Sequence, residues 1–112
     1  MTLAELKNIL ESAGNDAFKN KVAYRAFPVN AAPDLPFICF QCTQTDNFMA
    51  DSVVCKVVQE MDIELYTDEK EPETEAALEA ALTSAGLTWD KFEDYIESEN
   101  CFMITYEVTI LQ

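Results

Sequence analysis

The chain has no histidine, only two glycines, and seven basic residues against 21 acidic ones. Without histidine, Ser-His and Cys-His nucleophilic arrangements and histidine-based metal sites are excluded. Gly14 and Gly86 each close a helical pattern, so no glycine-rich loop is left to cradle a phosphate. No apolar run approaches a membrane span, and the opening "MTLAELKNIL" lacks the basic-then-apolar order of a secretory leader. The expectation is a cytoplasmic product with no membrane contact.

The shortage of bases is uneven. Residues 1–59 carry six acids and five bases, whereas residues 60–107 carry fifteen acids against Lys70 and Lys91. Such a field repels phosphate backbones at close range and argues against gripping nucleic acid by charge neutralisation. With 49% apolar residues the chain nevertheless has the material for a core despite its formal charge of −14. Its 112 residues suit a single domain spanning 1–112.

Four cysteines are present: Cys39, Cys42, Cys55 and Cys101. The first two have C-x2-C spacing, but "FICFQCT" reads as a strand, and strand residues three apart point to opposite faces. Buried, reduced cysteine is the expectation, with no metal.

Thr2 followed by Glu5 forms a capping box, and Leu3, Leu6, Ile9, Leu10 and Ala13 make one apolar helical stripe that Gly14 ends. Strands are expected over 22–27 and 37–43, separated by the proline-rich "PVNAAPDLP". A long third strand is expected from about Val53 to Thr67. It puts Val57, Gln59, Met61, Ile63 and Leu65 on one face and Lys56, Val58, Glu60, Asp62, Glu64 and Tyr66 on the other.

A second helix begins with Pro72 at its first position, with Glu71, Glu73 and Glu75 where the helix dipole favours negative charge. Leu78, Ala81, Leu82 and Ala85 form its apolar stripe, and Gly86 closes it. Two final strands flank the turn "ESEN", with Phe102, Ile104, Tyr106, Val108 and Ile110 on one face. The order predicts an α+β fold, a mostly antiparallel sheet of about four or five strands with both helices packed on one face.

Paired carboxylates such as Asp62 and Glu64 share a strand face and have the chemistry for acid/base work, but no pattern encloses them in a cleft. "TDEKEPETE" lacks the spacing of a calcium loop. A non-enzymatic protein without cofactors is therefore expected. In the stretch "TQTDNFMADS", Asp46, Asn47, Phe48 and Met49 place apolar side chains in a polar loop, which suits a partner contact or a fold back onto the core.

The phrases "IELYTDEKEPETEAALEAAL", "SAGLTWDKFEDYIESE" and "FMITYEVTI", with "MTLAELKNILESAG" and "VAYRAFP…LPFICF" before them, resemble the tail-completion or tail-terminator proteins of long-tailed bacteriophages. Cys101 departs from the pattern, where an apolar or aromatic residue is expected. The resemblance implies a ring, usually of six copies, that caps the tail tube and offers a surface for joining the head. It implies as partners the major tail tube protein and a head-completion protein, a place at the neck of the virion, and assembly in the host cytoplasm. DNA would pass through without specific binding, and Glu60, Asp62 and Glu64 become candidates for the lumen. The same acids also read as a solvated sheet face. Alternatives are an acidic DNA mimic that inhibits a host DNA-acting enzyme, and a head-side connector or stopper.

Overall fold

The computed structural model describes residues 1–50 and 53–111, leaving the side chains of residues 48–50 and 54–56 outside the description. The elements run α1 (Leu3–Asp16), β1 (Val22–Tyr24), β2 (Phe37–Thr45), β3 (Phe48–Ala50), β4 (Val53–Lys56), β5 (Val58–Thr67), α2 (Pro72–Ser84), β6 (Trp89–Ile96) and β7 (Cys101–Leu111). Five strands form one sheet in the order β1-β2-β5-β7-β6, and β3 with β4 forms a separate hairpin. The fold is α+β. The sheet is mixed, since β1 lies parallel to β2 while the other neighbours are antiparallel.

Local chemistry sets the helix ends. The Glu5 amide donates to Thr2 Oγ1 at 3.1 Å and the Thr2 amide donates to Glu5 Oε1 at 3.2 Å, which completes the capping box. The helical path of α1 breaks at Ala13–Asn15, where Gly14 takes a φ of +64°. Pro72 stands in the first turn of α2. At the other end Gly86, with φ +81°, sends its amide to the Thr83 carbonyl, and the Leu87 amide reaches the Leu82 carbonyl. These two bonds form a Schellman closure that satisfies carbonyls the helix would otherwise orphan.

The core lies between the helices and one sheet face. Leu6, Leu10 and Ala13 from α1 and Leu78 and Leu82 from α2 pack with Ile38, Phe40, Met61, Ile63, Leu65, Ile104, Tyr106, Val108 and Ile110. On β5 burial alternates strictly from Met61 to Thr67, the period-2 signature of a strand covered on one side.

Three expected boundaries shift. The first strand stops at Tyr24 rather than residue 27, and the second runs on to Thr45. The long third strand is broken at Val57 into β4 and β5, and its first part leaves the main sheet to pair with β3. The apolar periodicity of "VVCKVV" suits either partner, and only the tertiary pairing chooses.

Candidate functional site: the acidic sheet face opposite the helices

Because β5 is central, whatever it points away from the helices lies mid-face. Glu60, Asp62, Glu64 and Tyr66 occupy these positions, as the alternation predicts. Residues directly opposite on antiparallel strands share a face, so the register fixes their neighbours. Asp62 stands between Gln41 of β2 and Glu107 of β7, and Glu107 in turn stands opposite Asp90 of β6. Three carboxylates thus form a row across three strands. Glu60 lies between Gln44 and Thr109, and Glu64 between Cys39 and Thr105.

Like charges placed directly opposite destabilise a sheet. Among the described residues, every position of β2, β5, β6 and β7 on this face is uncharged or acidic, because Lys91 projects to the helix side. A shallow polar hollow of about 230 Å³ lies between Glu60, Glu107 and Asp90, with Thr88, Trp89 and Thr109 completing its wall.

Hydrogen bonds hold two of the acids. The Thr109 hydroxyl donates to Glu60 Oε2 at 3.1 Å, and the Tyr66 hydroxyl donates to Glu64 Oε1 at 3.1 Å. Burial pushes the Glu64 carboxyl above its ordinary value, and the Asp62 charge adds to the rise against the opposing hydrogen bond from Tyr66. Burial, followed by the Glu64 charge and the Glu64 hydrogen bond, also raises the Tyr66 hydroxyl. Cys39 is pushed up to about 11, first by burial and then by the Glu64 charge. Such a thiol is a poor nucleophile.

Cys39 lies on this face opposite Glu64, whereas Cys42 pairs with Met61 on the core side, so the C-x2-C pair points to opposite faces. Cys101 is buried, and burial raises its thiol too. The Cys55 side chain lies outside the described residues.

The expected contact loop is only partly a loop. Phe48 and Met49 belong to β3, with side chains outside the described residues. Before them, the Asp46 amide donates to the Val58 carbonyl at 2.8 Å and Asn47 Oδ1 accepts from the Val58 amide at 3.3 Å. These bonds fasten the start of the hairpin to β5.

Of the acids expected in the first turn of α2, Glu75 is buried, at 2% exposed. Lys70 Nζ stands 2.8 Å from one of its oxygens and Lys91 Nζ 3.0 Å from the other. Lys91 also reaches Glu79 at 2.8 Å, the Tyr106 hydroxyl donates to Glu79 at 2.7 Å, and Lys70 pairs with Glu93. The two bases of the acidic half thus clamp α2 to β6, and the Tyr106 hydroxyl ties it to β7.

No family model matches the chain, and no curated protein does. A solved virion chain shares the fold. It belongs to a structure described as the virion of a native gene transfer agent (GTA) particle, with a TM-score of 0.56 and 16% identity over 97% of this chain and 86% of that one. At that identity the likeness is one of fold, and it extends over nearly the whole of both chains.

Proposed function

We propose that this chain is a structural protein of a phage-like virion that caps the tail tube as a ring and offers the surface on which the head is joined. The observation that carries the reading is the fold shared, over nearly the whole length, with a chain of a virion particle. The action proposed is assembly rather than catalysis, with copies of itself, the tube protein and a head-completion protein as partners.

The acidic sheet face opposite the helices supports the same reading. In a ring that turns this face inward, Glu60, Asp62, Glu64, Asp90 and Glu107 meet the phosphates of passing DNA with like charge. Across a screening length of about 8 Å at physiological salt, that repulsion keeps the duplex off the wall and lets it slide. The cross-strand row of like charges costs stability, and a lumen gives that cost a use.

The test is electron microscopy of tails in lysates from a phage carrying a stop codon early in this gene. Overlong tubes without heads are expected. Tails of normal length joined to full heads would overturn the structural role and turn attention to inhibition of a DNA-acting enzyme. Tails of normal length left unjoined would move the chain to the head side of the neck.

A further inference from the structure

The sheet ends in two edges of opposite charge. At the β1 edge, residues 17–33 carry Lys19, Lys21 and Arg25 and no acid of their own, with Asp16 and Asp34 flanking them and Glu11 accepting from the Asn20 amide at 3.0 Å. At the β6 edge, residues 88–100 carry Asp90, Glu93, Asp94, Glu97 and Glu99 against Lys91 alone.

The ion pairs within the chain sharpen this contrast. Lys91 is held by Glu75 and Glu79, and Glu93 is held by Lys70. Among the described residues, Asp90, Asp94, Glu97 and Glu99 are left without a cation, and Lys19, Lys21 and Arg25 form no ion pair. In a chain with three times as many acids as bases, three unpaired bases gathered at one edge call for a partner. Apolar groups accompany both charges: Tyr24 is 44% and Val29 91% exposed at the basic end, and Phe92 is 56% and Tyr95 44% exposed at the acidic end. The outer side of β6, eight residues long, pairs with no strand among the described residues. An unprotected edge of that length is a ready template for another strand.

We propose that the basic β1 edge of one copy docks head to tail on the acidic β6 edge of the next. The inference rests on the ring reading above for its choice of a second copy as the occupant, and on the opposed edges for the way the copies meet. Pairing like edges would set acid against acid or base against base, so a two-fold contact is disfavoured. A contact between two different edges is heterologous, and it closes into a ring or runs on as a filament. Exposed ion pairs add little affinity individually, and their effect is to select orientation and partner. Tyr24, Val29, Phe92 and Tyr95 supply the area that leaves water. Docked this way, successive sheets present their acidic faces on one continuous surface.

The experiment is sedimentation of the purified chain at millimolar concentration and low salt, with both edges reversed in turn. One variant carries Lys19→Glu, Lys21→Glu and Arg25→Glu; the other carries Asp94→Lys, Glu97→Lys and Glu99→Lys, which leaves Asp90 as the one unpaired acid of that edge against three new bases, and circular dichroism checks the fold of each. The parent chain is expected to self-associate, and each variant alone to associate at least about tenfold more weakly. An equimolar mixture of the two variants, and a chain carrying both sets, should associate again, because each then has complementary edges. A monomeric parent, single-edge variants that associate like the parent, or a mixture that stays apart would overturn the proposal.

The tail-length experiment fails separately. Normal tails with charge-swapped rescue in solution would remove the virion role and leave the contact. Overlong tails with edge-independent association would do the reverse.

Discussion

At residue 75 the helix dipole and the core make opposite demands. The first turn of α2 favours a carboxylate, but position 75 precedes Leu78 by three and Leu82 by seven, which sets it on the buried stripe. Sequence reasoning took only the dipole into account and missed the burial, and the lysine that makes it tolerable could not be placed, because Lys91 arrives from β6. Burial pushes the Glu75 carboxyl up, yet the hydrogen bonds and charges of Lys70 and Lys91 outweigh it and hold the group below its ordinary value. A depressed carboxyl stabilises the fold above its unfolded pKa, and the contribution is lost as pH falls through the lower folded value. Glu75→Gln should therefore cost about 1–3 kcal/mol at neutral pH and flatten the acid limb of a stability-against-pH curve measured by denaturant titration. Glu107→Gln has the opposite sign. Removing its charge relieves contacts with both Asp62 and Asp90 and should raise stability by about 0.2–1 kcal/mol, read as a shifted denaturation midpoint with unchanged slope.

Among the elements, those with a period of their own were the easiest to read. The capping box of α1, the proline and glycine limits of α2, and the alternation of β5 and β7 each follow from local residues. What local residues could not supply was pairing. The parallel partner of β1, the departure of β4 into a hairpin, and the row that joins Asp62 to Glu107 and Asp90 all depend on which strand lies beside which. The alternation in "TYEVTIL" already placed Glu107 away from the core, so that acid was within reach of the sequence. The break in α1 offers an element-scale test. At Gly14 a methyl group would meet Ala17 and Ala77 at ordinary contact distances of 3.4 and 3.5 Å, so space is not the obstacle. The φ of +64° is, and Gly14→Ala should cost about 1–2 kcal/mol in a denaturation experiment.

For the whole molecule, charge is the dominant variable. With a formal charge of −14 and its acids concentrated beyond residue 60, the folded chain repels itself. Screening should relieve that, so the thermal midpoint of an edge-reversed, monomeric variant is expected to rise with added sodium chloride, as followed by circular dichroism. Association between edges should weaken over the same salt range, and the opposite signs separate the two effects. The row of facing carboxylates also bears on how the sequence would drift. If the fold were all that mattered, neutral residues at positions 62, 90 and 107 would be favoured, and a laboratory selection for protease resistance alone should enrich them. Acids that such a screen discards but an infectivity screen retains would mark the row as maintained by what the assembled particle does.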